Sequence, residues 1–410
     1  MLGNAELIAQ AAENAGIVVV ASAMTKITDA LIAASETALM GDGPGSLHLL
    51  DGIFQRHCGV LEILAPNGGP ESDRVRNEIE RIVENLKQLM RATVLLGEMT
   101  QRTRDRVIAS GEKMSVRLLS LALTTQELKS VPMDADTFLE TDNHFGEANP
   151  LGVVADRTIR AALQPHLKKG YIPVVTGFCG IAPDGATTTL GRGGSDYTAT
   201  LIASALNADE VTIWTDVDGV FSADPRVVPN ARCVGQLNYR EAAELSFYGA
   251  KVLHQRTMIP VSRKKIPVRT RNSFNPAARG TLVNDRFTPG SHPVKAISAI
   301  KGQAMVSIEG KGMSGVPGIA SRVFQCLANK KISVTMISQS SSESSISLVV
   351  PAAESAEATN AIKAEFRTDL SHGDIEEIVV EPRIGIVACV GLGMAKVPGV
   401  AGRVFASLGE

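Results

Sequence analysis

The cysteines of this sequence show no pairing pattern. Cys58, Cys179, Cys233, Cys326 and Cys389 have neither C-x-x-C nor Cys/His spacing, which argues against a disulfide framework and against a structural zinc site. A reducing compartment fits that usage. No basic run exceeds Arg263-Lys264-Lys265, and 41 Lys and Arg against 43 Asp and Glu leave a formal net charge of −2. Nothing in this balance attracts nucleic acid or an anionic membrane, so small-molecule ligands are expected. Apolar runs stop short of the ~18–20 residues that span a bilayer, and the first residues carry no signal pattern. A cytosolic protein is expected, and a plastid protein that has lost its transit peptide would read the same way. What is present, 44% hydrophobic and 20% charged residues over 410 positions, fits a globular chain too long for one core, with two or three domains.

One stretch is rich in glycine. Residues 177 to 196 read G-F-C-G-I-A-P-D-G-A-T-T-T-L-G-R-G-G-S-D, between an apolar run at 172–176 that reads as a buried strand and a segment at 197–206 with helical spacing. Ligands bind at such strand-to-helix connections, outside the carboxyl ends of the strands of an open α/β sheet. Gly191, Gly193 and Gly194 let backbone N–H groups approach an anion. Arg192 offers a planar fork for a carboxylate or phosphate, and Ser195 and Asp196 begin the helix. A plain glycine-rich turn with one arginine has the same composition, so the stretch alone leaves both readings open.

Elsewhere the first part of the chain alternates helices and strands. Residues 4–16 read as an amphipathic helix running into a strand at 17–21, after which Ser22-Ala-Met-Thr-Lys-Ile-Thr-Asp starts a second helix that Ser22, Thr25 or Thr28 could cap. Residues 71–108 read as helical scaffold. Ser110-Gly-Glu-Lys-Met-Ser115 reads as the opening of another helix, with Glu112 complementing its dipole. Asp134 to Pro150 reads as a surface loop, and a strand at 211–215 runs into a tight turn at Asp216-Val-Asp-Gly219. Phe287 to Pro293, with two prolines and a glycine, reads as a linker.

Past that point a β-α-β-β-α order predicts a ferredoxin-like module. Part of it repeats: Gly310-x-Gly-Met-x-x-Val-Pro-Gly-Ile-Ala-x-Arg-Val-Phe324 matches Gly391-x-Gly-Met-x-x-Val-Pro-Gly-Val-Ala-x-Arg-Val-Phe405.

Five segments in order, Ser22–Leu31 (S-A-M-T-K-I-T-D-A-L), Ser110–Ser115 (S-G-E-K-M-S), the G-R-G-G-S-D loop, Thr215–Arg226 (T-D-V-D-G-V-F-S-A-D-P-R) and Lys251–His254 (K-V-L-H), resemble those of aspartate kinases. The repeats resemble ACT domains. The resemblance implies an α/β amino-acid-kinase fold, a three-layer αβα sandwich with a mainly parallel central sheet, over residues 1–285. A linker at 286–298, a first ACT module at 299–382 and the start of a second at 383–410 would follow. The implied reaction transfers the γ-phosphoryl group of ATP, with Mg²⁺, to the side-chain carboxylate of L-aspartate. Its product, 4-phospho-L-aspartate, opens the route to lysine, threonine and methionine.

By the same resemblance Thr28, Glu112, Arg192, Gly193, Gly194 and Ser195 bind the amino acid. Glu112 would take its ammonium group and Arg192 a carboxylate, and with Asp196, which keeps the loop's geometry, these two form the catalytic set. Thr215, Asp216, Phe221, Arg226, Lys251 and Val252 would line the nucleotide, Phe221 standing where the family often has Tyr. No metal-ligand cluster is expected. The ACT modules imply a homo-oligomer and an amino-acid effector. Threonine comes first, because residues 337–346 resemble aspartokinases fused to homoserine dehydrogenase, and lysine second. Gln339 either recognises that effector or is a solvated strand-end residue. The family's K-F-G-G-[TS]-S strand does not precede Met1, and the second repeat stops at Glu410, so a chain cut at both ends is expected. Two competing readings are another enzyme of the fold, such as an acetylglutamate or uridylate kinase, and a regulatory or inactive aspartokinase-like subunit.

Overall fold

Alternation of side chains across short parallel strands sets the layers of this protein. The computed structural model describes residues 1–249, 254–287 and 292–409, and the chain divides into two units, Met1–Ser291 and His292–Glu410. The first unit opens with α1 (Leu2–Ala12), β1 (Val19–Ala21), α2 (Ile27–Leu39), α3 (Gly43–Leu64), α4 (Pro70–Leu96), α5 (Gln101–Thr124) and β2 (Ser130–Met133). It continues through α6 (Val153–Lys168), β3 (Ile172–Thr176), the hairpin β4 (Cys179–Ile181) and β5 (Thr187–Thr189), and α7 (Gly194–Leu206).

Strands β1, β3 and β2 lie side by side in that order, all parallel. Val19, Ala21, Ile172 and Val174 pack on one face against Ile27 and Leu31 of α2, Met90 of α4 and Met114 and Leu118 of α5. Val18, Val20, Met133 and Val175 pack on the other face against Ile159 and Leu163 of α6 and Leu201, Ile202 and Ala205 of α7. The strand period of two delivers neighbouring valines to opposite cores, which makes three layers. All five residues of β3 are buried, as a parallel strand covered on both faces requires.

The rest of this unit is β6 (Val211–Thr215), β7 (Gln236–Asn238), α8 (Tyr239–Phe247), α9 (Gln255–Lys264), β8 (Val268–Asn272) and β9 (Thr281–Asn284). These strands form a sheet in the order β6-β8-β9-β7, antiparallel only between β8 and β9.

Two expectations for this unit are corrected. Ser110–Ser115 does not open a helix but lies midway along α5, which Thr100 caps by accepting the Thr103 N–H at 3.2 Å. A Cβ at Gly111 would come within 2.9 Å of the Ala23 Cβ; it is a close-packing position inside a continuous helix. The dipole argument for Glu112 therefore does not apply. The segment 134–150 is not a surface loop throughout, since Leu139, Thr141 and Ala148 are fully buried and Phe138 nearly so.

The second unit runs β10 (Ala296–Glu309), α10 (Ile319–Asn329), β11 (Met336–Gln339), β12 (Ser345–Pro351), α11 (Ser355–Glu365), α12 (Arg367–His372), β13 (Glu377–Val390) and α13 (Val400–Gly409). Its antiparallel sheet has the order β11-β12-β10-β13, the ferredoxin-like arrangement, with Val306, Val323, Leu348, Ile362 and Phe366 in its core. Strand β10 starts at Ala296, inside the expected linker at 286–298. Ala296 to Ile300 already pair with Val390 to Ile386, and a register shift separates them from the pairing of Gln303 to Glu309. The repeated glycines occupy equivalent places: a Cβ on Gly310 would strike the Asp374 carbonyl, and one on Gly391 the Pro293 carbonyl.

Candidate active site

Hydrogen bonds join the carboxyl ends of the three parallel strands. The Gly177 N–H, just past β3, donates to the Ala21 carbonyl at the end of β1 at 3.0 Å. The Ala135 N–H, just past β2, donates to Thr176 Oγ1 at 2.7 Å. Glu112 of α5 reaches this edge from below. Only 4% exposed, it accepts the backbone N–H of Ala23, and its Oε2 has no hydrogen-bond partner among the described residues. Burial pushes its carboxyl up to about 7, the Ala23 N–H pulling the other way. Thr28 is half-buried in the first turn of α2. That helix is capped at Lys26 in the left-handed region without a side-chain hydrogen bond, so none of Ser22, Thr25 and Thr28 caps it.

The glycine-rich loop closes over the same edge. Gly191 and Gly193 have φ of +76° and +72°, a region costly for residues with a Cβ, and the Gly194 N–H returns to the Gly191 carbonyl at 3.1 Å, forming a turn around Arg192. A Cβ on Gly193 would lie 2.7 Å from the His254 Cβ, and one on Gly177 would lie 2.5 Å from Ser195 Oγ. Ser195 therefore sits directly against the turn that follows β3. Arg192 is exposed and makes no hydrogen bond or ion pair among the described residues. Asp196, half-buried in the first turn of α7, is pushed up to about 6 by burial.

Of the residues expected at the nucleotide, Thr215 ends β6 and Asp216 follows it. Thr215 Oγ1 donates to Asp216 Oδ1 at 3.2 Å. Asp218 accepts from Asn272 and Asn275 at 2.8 and 3.1 Å, which fixes the turn. Phe221 is half-buried and bridges to Cys233. Arg226 is exposed and its fork is closed on Asp224, with contacts of 3.0 and 2.7 Å. Lys251 and Val252 lie outside the described residues. In the second unit Gln339 is the exposed last residue of β11.

Sequence reasoning missed several groups that hold this site. Asp105, fully buried on α5, accepts the N–H groups of Gly146 and Thr189, each at 2.8 Å, and so binds the 134–150 segment to the end of β5. Lys113, next to Glu112, pairs with Asp136 at 2.6 Å, and Asp136 also accepts from Thr187 Oγ1 at 2.6 Å. Phe178 has φ of +69° without being glycine, and its N–H donates to Thr198 Oγ1 at 3.1 Å. Arg256 of α9 donates to the Leu190 and Ala148 carbonyls at 3.1 and 3.3 Å. Only Arg256 had a sequence signal, two residues past K-V-L-H; the others depend on which helix faces which strand.

The sequence matches the amino acid kinase family over residues 3–272 and an ACT domain over 306–366. It is 36% identical over 402 residues to bifunctional aspartokinase/homoserine dehydrogenase 1, chloroplastic, of Zea mays, covering 96% of this chain and 43% of that protein. It is 35% identical over 395 residues to lysine-sensitive aspartokinase 3 of Escherichia coli (strain K12), covering 95% of this chain and 84% of that one. The crystal structure of E. coli aspartokinase III in complex with aspartate and ADP has a TM-score of 0.80 and 33% identity, covering 96% of this chain and 84% of that chain. The lysine and aspartate complex of the same enzyme has a TM-score of 0.74 and covers 99% and 87%. The chain thus spans less than half the length of the maize relative. With the family match running through the glycine-rich loop and the strand ends around it, and the ACT match following, this chain belongs to the amino acid kinase family, among its aspartokinases.

Proposed function

We propose that the first unit transfers the γ-phosphoryl group of ATP to the side-chain carboxylate of L-aspartate, giving 4-phospho-L-aspartate. The observation that carries this reading is the buried Glu112 carboxylate, with one oxygen held by a backbone N–H and the other without a partner among the described residues, at the joined strand ends. An orphaned buried acceptor costs about 1–3 kcal/mol, which a substrate ammonium group would recover. Arg192, exposed and uncommitted, would then take a substrate carboxylate, with Ser195, Gly193, Gly194 and Thr28 around it. The nucleophile, with a reference pKa of ~3.9, is already ionised and needs no general base. The chain's work is alignment of two anions, Arg192 and the N-terminus of α7 offsetting their repulsion. Asp196 would hold the loop. Thr215, Asp216, Phe221 and, once released from Asp224, Arg226 would bind the nucleotide, with Lys251 and Val252 from the segment outside the described residues.

Among the described residues no three His, Cys, Asp or Glu side chains gather as a metal cluster. Mg²⁺ would arrive with the ATP phosphates and screen charge on the phosphoryl group. Formation of hydroxamate dependent on both ATP and aspartate is the test; ATP binding without aspartate-dependent product would overturn the reading.

The second unit is proposed to pair copies of the chain and to bind an amino-acid effector. Threonine is the first candidate and lysine the second, and Gln339 offers its amide. Calorimetry with each amino acid on the protein and on Gln339→Ala decides this. Absence of heat with both leaves the unit a pairing element, and unchanged affinity in the variant clears Gln339. Among the described residues no helix is long and apolar enough to cross a membrane; the cytoplasm or a plastid is the proposed location.

A further inference from the structure

The loop that carries Arg192 is held from within by the Gly194 N–H on the Gly191 carbonyl at 3.1 Å. Two of its four residues before α7 proper are glycines with positive φ, and Arg192 itself has no partner among the described residues. Contacts from outside the loop add to that hold. Arg256, half-buried near the start of α9, supplies three hydrogen bonds around it: Nη1 to the Leu190 carbonyl at 3.1 Å, and Nη2 to the Ala148 carbonyl at 3.3 Å and to Asn149 Oδ1 at 2.9 Å. The same guanidinium stacks 5.1 Å from the centre of the Tyr197 ring. Leu190 is two residues before Arg192, and Tyr197 directly follows Asp196. One planar cation therefore grips the loop where it enters the turn and where it leaves into α7. The residue that caps α9, His254, lies against Gly193, so the helix start also packs on the loop next to Arg192.

We infer that Arg256 is a positioning residue for substrate recognition, setting the stance of Arg192 without touching substrate. This rests on the aspartate kinase reading for its consequence, though not for its geometry. A lysine has no planar fork and cannot serve carbonyls on two segments while stacking on a ring. The loop should loosen, and Arg192 should lose its aim at the substrate carboxylate.

The test compares wild type, Arg256→Lys, Arg256→Met and Asn149→Ala. The last removes one exposed acceptor, together with the Asn149 amide's bond to Asp142 at 2.9 Å, and keeps the guanidinium's other contacts, so it tests the clamp even if an Arg256 variant fails to fold. The expected kinetics are an aspartate KM raised tenfold or more in Arg256→Met, with the ATP KM within twofold. Arg256→Lys should restore little, and Asn149→Ala should move the aspartate KM two- to threefold. Hydrogen exchange should speed up in the peptide spanning 186–198 and stay unchanged in 107–123. A lowered melting temperature with an unmoved aspartate KM would reduce Arg256 to plain scaffold and overturn the inference, as would unchanged exchange across the loop. If wild type makes no aspartate-dependent product, the functional reading falls, and the exchange measurement alone decides whether Arg256 positions the loop.

Discussion

The protonation state of Glu112 should govern how tightly aspartate binds between pH 6 and 8. Holding this carboxyl at about 7 instead of the ordinary 4.5 means that ionising it in the empty site costs about 3 kcal/mol more than in water. The sign for stability follows: between 4.5 and 7 the native state keeps a proton that the unfolded chain has released, so this group's contribution is best below 4.5 and declines as pH rises through 7. For binding the sense is reversed, because a substrate ammonium group needs the ionised form. With a midpoint near 7, about nine-tenths of the sites are ionised at pH 8, half at pH 7 and one-tenth at pH 6, so the aspartate Kd should be about tenfold weaker at pH 6 than at pH 8. Asp196, pushed up to about 6, adds at most about a factor of two at the acid end. Calorimetry in buffers of different ionisation enthalpy would show roughly one proton released per aspartate bound at pH 6 and almost none at pH 8. Glu112→Gln should flatten both profiles and weaken binding at pH 8 by about 10–100-fold, the usual range for a charge-assisted contact. A wild-type Kd that stays constant within twofold from pH 6 to 8, or a slope that survives in Glu112→Gln, would refute this reasoning.

Arg192→Lys keeps the charge and loses the two-donor fork, so kcat/KM for aspartate should fall by about 1.5–3 kcal/mol with ATP binding little changed; steady-state kinetics near wild type would remove Arg192 from the site. Phe366 is fully buried in the second unit and lies beneath Arg322, whose guanidinium is 4.2 Å from the ring centre. Phe366→Ala should cost about 3–5 kcal/mol, read by urea unfolding, and a loss under about 1 kcal/mol would show that the site refills. His57 is fully buried, with Nδ1 2.7 Å from the Ile53 carbonyl and Nε2 unpartnered, and burial lowers its pKa. Below about pH 6.5 the unfolded chain takes up a proton that the native chain resists, so stability should fall as pH drops from 7 to 5. His57→Leu should make the urea midpoint less pH-dependent over that range, and an identical slope in the variant would exonerate His57.

By itself the sequence determined whatever is encoded over a few neighbouring residues. Strands at 172–176 and 211–215 fall where the sequence places them; the first is the short apolar run that a parallel strand buried on both faces needs. The glycines around Arg192 were legible because left-handed backbone selects glycine, and the repeat at 310–324 and 391–405 was legible because two similar turns need the same residues. Tertiary structure decided the rest. That Gly111 is a close-packing position inside a helix depends on Ala23, Ile27 and Leu31, which are remote in sequence. Whether Phe138 and Leu139 belong to a loop or a core depends on the elements that cover them. Ala296–Ile300 belong to the sheet only because β13 runs beside them. Asp105 and Arg256 resemble ordinary helix-surface charges until the fold brings Gly146, Thr189, Leu190 and Ala148 to them. Hydrophobic period reports that a face is buried but not against what, and backbone groups from remote segments, which leave no mark on sequence pattern, complete the polar contacts that make this site.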